Sequence, residues 1–245
     1  MQFNSSEEDK NKWKEFHLSE FVHKQVQLKS MMQADLIKAI DELNEVVVSN
    51  ERRIEWLNQS FKTTSSEDRQ QQCKQGIEKY KNLSILANKV SEIYLMLLDI
   101  YTYGTYCMLA EDEWDWRAFA RHLCTILYEH PSTVNKQLND IIKILKADLE
   151  NVYDITSLVQ AKKDFSSFIN EKSAFAKRIR INVDAHFDGD FEKRLSLIKD
   201  LSYSEFIELY YNYLNTMHNF LSKLKPALQA LRRTADITYC GIIYR

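Results

Sequence analysis

The sequence predicts an all-α protein, a helical bundle built on a long antiparallel helical hairpin in its N-terminal half. The chain has 245 residues but only 4 Gly and 2 Pro, and sheets need tight turns that draw on both residue types. Apolar residues also recur at helical spacing over long stretches. With 44% hydrophobic residues, the chain can bury a sizeable core. We expect one domain over residues 1–245.

The first helix of the hairpin is predicted from an uninterrupted stretch. Between Trp13 and Phe61 there is no Gly or Pro, and apolar residues alternate at spacings of four and three. A stripe of this length needs a partner helix, since it is not stable alone in water. The stripe has polar breaks at Lys29, Gln33 and Asn50, and its apolar members are Val22, Val26, Leu36, Ile40, Leu43, Val47, Ile54, Leu57 and Phe61.

The partner helix follows directly. Residues 62–68, KTTSSED, predict a turn in which Ser65 and Asp68 form a capping box. Two long helices joined by a short loop run antiparallel, so residues 13–110 form the hairpin. Asp99 and Gly104 interrupt its most apolar segment, 93–110, which favours a buried helix over a membrane span. The inward residues of this second helix are predicted to be Ile77, Tyr80, Val90, Ile93, Leu97 and Tyr101.

Residues 111–235 supply the remaining bundle helices. A helix over 111–130 is predicted to stop at Pro131, because proline breaks a helix interior, and the next begins at Ser132 or Thr133. The inward residues of that next helix are Val134, Leu138, Ile141, Ile142 and Leu145. In the following helix they are Ile155, Leu158, Phe165, Phe168 (or Ile169), Phe175 and Ile179.

The C-terminal part is predicted from its breaks and caps. Gly189 marks a helix stop after His186, and a short helix covers 190–199. Ser202 and Glu205 form a capping box for a last long helix that ends at about Arg233. The tail ITYCGIIYR is expected to be a short strand or an extended arm.

The net charge and the cysteine spacing limit which binding partners and which cellular compartment the sequence suggests. The 33 basic and 35 acidic residues give a net charge of −2, so any RNA contact requires a local basic patch. The cysteines Cys73, Cys107, Cys124 and Cys240 are widely spaced and predict reduced core thiols. The polar N-terminus is unlike a signal peptide, so we expect a cytoplasmic protein.

Two sets of residues are candidate basic patches for RNA contact, although each is also typical of a solvated helix face: Lys172, Lys177, Arg178 and Arg180, and Lys223, Lys225, Arg232 and Arg233.

One stretch, RIRINVDAHFDGDF (178–191), carries residues suited to RNA chemistry. Arg180 and His186 have R-x5-H spacing and face one cleft if the helix ends near the histidine. Histidine can act as acid or base on the ribose 2′-OH or the leaving 5′-oxygen, and arginine can stabilise phosphorane charge. Asn182 and Asp184 are the supporting residues. A structural alternative pairs Arg180 with Asp184 and places His186 at a helix C-terminus.

This stretch resembles the R-x4-6-H region of the HEPN superfamily. RINVDAHFDGD is similar to phrases such as RNKVxAHxD in bacterial members, and WRAFARHLCTILYEH resembles the arginine-bearing helix that precedes the motif. The resemblance covers about 111–235, and it departs from the family at Ile181, where a polar residue is usual. The residues that match the phrase are Arg180, Val183, Ala185, His186 and Asp188.

The resemblance implies a HEPN-like bundle and a homodimer in which the two motifs line one composite cleft. It implies an RNA-binding, metal-independent endoribonuclease of a toxin–antitoxin or phage-defence system, with an antitoxin as a further partner. Non-catalytic members that bind RNA, nucleotides or proteins are the alternative.

A second group of candidate residues lies on the preceding helix. Arg117 and Arg121 are four residues apart, so they share a face, and His122 is adjacent. They are candidates for phosphate binding. Pairing of the arginines with Glu113, Asp115 or Glu129 is the alternative. The tyrosine-rich segments 101–106 and 203–214 could stack bases or pack in the core.

Metal and cofactor chemistry have less support. A bundle could turn His122, Glu129, His186 and His218 inward, as in metal-dependent helical enzymes, but the sequence has no E-x-x-H pair. It also has no glycine-rich phosphate loop. We therefore expect neither a metal nor a cofactor, and a metal-dependent bundle enzyme is the third hypothesis. His17, His23 and His130 are expected to be solvated.

Overall fold

A computed structural model describes residues 20–110, 112–179, 198 and 201–243, with side chains from Met31 onward except at 172, 173, 175 and 178. These ranges contain long α-helices and no strand, which confirms the all-α class. Within them, no helix is long and apolar enough to cross a membrane. The helices are α1 (Glu20–Thr63), α2 (Glu67–Leu109), α3 (Glu113–Asp148), α4 (Thr156–Ile179) and α5 (Tyr203–Ile243).

The chain divides into two compact units. The aromatic unit comprises Met1–Leu36, Leu95–Val134 and Asp164–Met217, and the ladder unit comprises Ile37–Tyr94, Asn135–Lys163 and His218–Arg245. Each of the five helices contributes one stretch of residues to each unit. The prediction of one domain over residues 1–245 stays a prediction.

The turn between α1 and α2 is capped one residue later than predicted. Ser66 Oγ accepts a hydrogen bond from the Arg69 backbone N–H at 3.4 Å, so Ser66 is the N-cap. The predicted capping box of Ser65 and Asp68 is therefore wrong, because the third helical position holds Arg69, which cannot return the bond. Glu67 and Asp68 lie in the first turn, where negative charge is favourable.

In the ladder unit, α1 and α2 run antiparallel, as predicted. Asn50 Nδ2 donates to Ser84 Oγ at 3.2 Å, and Leu57 lies 3.0 Å from where a Cβ on Gly76 would be. The pair nearer the turn, Leu57 and Gly76, is thus closer in sequence than Asn50 and Ser84, as expected for two antiparallel helices. Gln33 Nε2 in the aromatic unit donates to Thr102 Oγ1 at 2.8 Å. Two of the polar breaks in the α1 stripe are therefore matched by hydroxyl groups on α2.

Helix α3 continues through Pro131, so the predicted break there is wrong. Pro131 is buried within the helix, and Ser132 Oγ donates to the Glu129 carbonyl at 3.2 Å. An internal proline costs roughly 3 kcal/mol. Burial offsets this cost, because Leu127 and Val134 keep one apolar face in phase on both sides of the proline. The inward residues predicted after the proline are all buried: Val134, Leu138, Ile141, Ile142 and Leu145.

The predicted inward face of α4 is confirmed at the positions whose side chains are described. These are Ile155, which precedes the helix, and Leu158, Phe165, Phe168 and Ile179. The side chain of Phe175 lies outside the described residues, as do the predicted stop at Gly189 and nearly all of the short helix over 190–199.

Helix α5 begins as predicted but runs further. Ser202 Oγ accepts from the Glu205 N–H at 3.4 Å, as an N-cap does. The helix extends to Ile243, so the prediction of a strand or extended arm is wrong. Ile242 is buried, and its carbonyl accepts from Arg69 Nη2 at 3.0 Å. Burial and this bond hold the tail helical.

The cysteine prediction is right for three residues and wrong for the fourth. Cys73, Cys107 and Cys124 are buried free thiols, whereas Cys240 is exposed on α5. Burial raises the pKa of both Cys73 and Cys107.

Candidate functional site

The predicted catalytic pair and its supporting residues lie outside the described residues. This applies to Arg180, Asn182, Asp184 and His186. The structure describes what flanks them. Ile179 ends α4 and Leu201 precedes α5, and both are buried in the aromatic unit.

Arg117 ties one of these flanks to α3. Its side chain is only 4% exposed, and Nη2 lies 2.7 Å from Glu113 Oε1. Nη1 donates to the carbonyls of Ile198 at 2.6 Å and Leu201 at 3.2 Å. The carboxylate balances the buried guanidinium charge. Of the alternatives left open by the sequence, the structure shows Arg117 paired with Glu113.

Aromatic rings form the core beside this arginine, whose guanidinium carbon lies 5.7 Å from the Trp116 ring centroid. The Trp116 ring packs on Tyr203 and Phe206, with centroids 5.2 and 5.7 Å away. Phe206 is stacked with Tyr210 at 6.3 Å. Tyr210 lies so close to Gly104 that a Cβ there would be 2.4 Å from its hydroxyl oxygen. The glycine in α2 therefore permits this ring to approach.

The tyrosines of segment 203–214 mostly serve the core. Tyr203, Tyr210 and Tyr213 are buried, and burial raises the pKa of each hydroxyl. Burial also raises the pKa of Tyr211 to about 12. Rings enclosed on both faces cannot stack on a base, so Tyr203, Tyr210 and Tyr213 pack in the core.

Segment 101–106 divides between the core and the surface. Tyr101 is buried, whereas Tyr106 is 44% exposed. Tyr103 and Tyr106 on α2 form a continuous ring contact with Phe119 and His122 on α3. The centroid distances are 4.3 Å for Tyr103–His122, 6.0 Å for Tyr103–Tyr106 and 5.3 Å for Tyr106–Phe119. We call these four residues the aromatic strip.

The chain segment that carries the aromatic strip is rich in acidic residues. Residues 95–134 contain six acidic and two basic residues, and one of the basic residues is Arg117, which is paired with Glu113. Asp99, Asp115 and Glu129 are exposed. The predicted phosphate-binding group therefore has Arg117 buried, Arg121 half-buried and His122 exposed in an acidic neighbourhood.

His130 is half-buried rather than solvated. The prediction is wrong because α3 does not end there. Burial lowers the pKa of His130, and the nearby carboxylates of Asp99 and Glu129 partly oppose this shift. The imidazole is consequently biased toward its neutral form.

The basic patches are described to different extents. On α5, Lys223, Lys225 and Arg233 are exposed, and Arg232 Nε lies 3.9 Å from Asp236. Of the patch at the end of α4, the described side chain is Lys177, which is exposed. The patch on α5 thus offers cations to solvent, and the patch at the end of α4, which offers Lys177, also includes Arg180 of the predicted catalytic pair.

Metal binding has no support in the part of the chain that the structure describes. Over those residues, no group of three or more His, Cys, Asp or Glu side chains is arranged to hold an ion.

Phe119 is a half-buried member of the aromatic strip that the sequence did not single out. Its helical spacing is a usable signal, since Asp115, Phe119 and His122 follow one another at four and three residues. That places them on one face of α3, beside the buried face that carries Trp116 and Leu123. An aromatic residue next to a predicted inward face is easily assigned to the core.

Comparison with known proteins adds no family: no family model, curated protein or solved structure matches the chain. Membership of the HEPN superfamily therefore stays a prediction that rests on residues 111–235.

Proposed function

We propose that the chain binds RNA and cleaves it without a metal ion, in the manner of the HEPN-like endoribonucleases it resembles. The observation that carries the proposal is the R-x5-H stretch of Arg180 and His186. Its surroundings support it. Ile179 and Leu201 are buried on either side, and Arg117 binds the carbonyls of Ile198 and Leu201. The stretch therefore joins two described residues that are packed in the core of the aromatic unit.

The chemistry needs a base, an acid and a cation. His186 takes the proton of the ribose 2′-OH as that oxygen attacks the adjacent phosphorus. The bond from phosphorus to the 5′-oxygen breaks, and the leaving oxygen receives a proton from an acid. The products are a 2′,3′-cyclic phosphate and a 5′-OH. Arg180 stabilises the charge on the phosphorane oxygens, Asn182 orients the phosphate or the imidazole, and Asp184 fixes Arg180.

The partners follow from the same resemblance. Lys177, exposed near the end of α4, begins a basic stretch that meets the RNA backbone. Two protomers form one cleft in a homodimer, and an antitoxin controls the activity of a cytoplasmic toxin or phage-defence module. The alternative function uses the same surface to bind RNA, nucleotide or protein without cleavage.

Cleavage of single-stranded RNA in EDTA tests the proposal. We expect the wild-type protein to release 2′,3′-cyclic phosphate ends. His186→Ala and Arg180→Ala should each lower the rate by about 100-fold or more. His218→Ala and Arg52→Ala, at exposed positions outside the stretch, are the matched controls and should cleave normally. Circular dichroism checks that all variants remain helical.

Three results would contradict the nuclease. Cleavage that EDTA abolishes would point to a metal-dependent enzyme. Cleavage that survives both substitutions would point to a contaminant or another site. Tight RNA binding without cleavage would favour the non-catalytic alternative.

A further inference from the structure

The aromatic strip ends at an exposed apolar corner where α2 gives way to α3. Tyr106, Leu109 and Trp114 are 44%, 51% and 44% exposed. Tyr106 belongs to the aromatic strip through its ring contacts with Tyr103 and Phe119, and Leu109 and Trp114 lie in the same unit. Exposed tyrosine and tryptophan side chains are over-represented among the residues that dominate protein-binding energies.

Carboxylates lie at both ends of this surface. Asp115 precedes Phe119 by one helical turn, and Asp112 caps the start of α3 by accepting from the Asp115 N–H at 2.8 Å. At the other end, Asp99 and Glu129 both act on His130. Asp99, Asp112, Asp115 and Glu129 are all exposed. Residues 95–134, which carry the strip, contain no lysine, and their basic residues are Arg117 and Arg121.

We propose that the aromatic strip and its flanking carboxylates bind an arginine-rich segment of a partner protein. Guanidinium groups stack on tyrosine and phenylalanine faces through cation–π attraction. The carboxylates at the ends of the strip pair with the same cations. This occupant uses both the rings and the carboxylates, whereas an uncharged apolar partner would bring no cation to Asp99 and Asp115.

RNA fits this surface poorly. Its bases could stack on the rings, but its phosphates would lie against Asp99, Asp115 and Glu129, and phosphate contacts supply much of the affinity for nucleic acid. The inference concerns a face other than the R-x5-H stretch and does not depend on the nuclease proposal. Either can fail without the other.

Two synthetic peptides, octa-arginine and octa-lysine, test the inference by fluorescence anisotropy with the full-length protein. They carry the same charge, but only arginine offers a planar cation. We expect octa-arginine to bind roughly three- to fivefold more tightly, the ratio that a modest cation–π contribution gives. Tyr106→Ala should remove this preference. The double variant Asp99→Asn/Asp115→Asn should weaken binding of both peptides, most clearly at low salt.

Matched controls lie in the ladder unit. Tyr153→Ala removes an exposed ring, and Glu42→Gln removes an exposed carboxylate. Both should leave peptide binding unchanged.

Three outcomes would overturn the inference. In the first, the wild-type protein and Tyr106→Ala each bind octa-arginine and octa-lysine equally tightly, which would indicate unspecific charge attraction. In the second, oligouridine protects Tyr106 from chemical modification and octa-arginine does not, which would make the strip an RNA surface. The third is loss of a dimer in Tyr106→Ala by sedimentation velocity, which would make the occupant a second copy of this chain.

Discussion

Different interactions stabilise the interior of the aromatic unit and the interior of the ladder unit. Large rings fill the aromatic unit: Phe165 packs on Tyr213 at 5.6 Å, and Trp116 packs between Tyr203 and Phe206. Its buried charge, Arg117, is neutralised by Glu113. Ring packing of this kind depends on shape, since overpacking as well as cavities destabilise a core.

The ladder unit adds a series of polar contacts between helices. Along α2 and α3, the pairs are Asn82–Asp148 at 2.9 Å, Lys89–Asp140 at 2.8 Å, and Glu92 with Gln137. Asp236 on α5 accepts from the Tyr80 hydroxyl at 2.9 Å and lies 3.1 Å from Arg53. Such contacts fix which residues face each other but contribute little energy individually.

This difference shows that two equally helical regions can lose stability in different ways when residues are substituted. The aromatic unit should respond most to changes of volume and to loss of its buried charge pair. The ladder unit should lose stability in small steps, because each polar contact is partly exposed and backed by others.

The largest effect is expected from Arg117→Met. The substitution leaves Glu113 and the carbonyls of Ile198 and Leu201 without their donor, so we expect the free energy of unfolding to fall by about 3 kcal/mol. Urea unfolding followed by circular dichroism measures it. Arg53→Met is the counterpart in the ladder unit, where Tyr80 still binds Asp236, and should cost about 1 kcal/mol. Equal losses in the two variants would remove the distinction between the units.

A smaller loss is expected from Gly104→Ala. The new methyl group would lie within 2.6 Å of the Tyr210 ring, and the ring is held by Phe206 and Tyr211. Overpacking should cost about 2 kcal/mol even though alanine favours the helix. Gly241→Ala is the control, because open space surrounds that position, and it should stabilise the protein by about 0.5 kcal/mol. If Tyr210→Leu does not relieve the effect of Gly104→Ala in a double variant, the clash is not its cause.

Leaving the control variants aside, the smallest effect is expected from Tyr80→Phe. The ring stays in the core of the ladder unit, and Arg53 continues to pair with Asp236, so the loss should be about 1.5 kcal/mol or less. Chemical denaturation at neutral pH tests it. A loss as large as that of Arg117→Met would show that the Tyr80–Asp236 contact acts as a buried charge network instead.

The sequence predicted the helices better than it predicted the candidate site. Periodicity gave the inward faces of α3 and α4, and Ser202 marked the start of α5, because a cap depends on residues three positions apart. It also indicated Arg180 and His186, which lie outside the described residues. It did not separate Tyr101, which faces the core, from Tyr106, which faces solvent. Two tyrosines five residues apart look alike until the neighbouring helix is known.

What the sequence determined by itself was the all-α class, the antiparallel hairpin and most of the buried faces, since these follow from spacing along one chain. Tertiary structure decided what depends on distant residues. Pro131 stays inside α3 because apolar burial on both sides of it offsets the broken backbone bond. Arg117 is paired because carbonyls 81 and 84 residues away meet its guanidinium. Local patterns specify which helices form, but the partner of a buried polar group is chosen by packing.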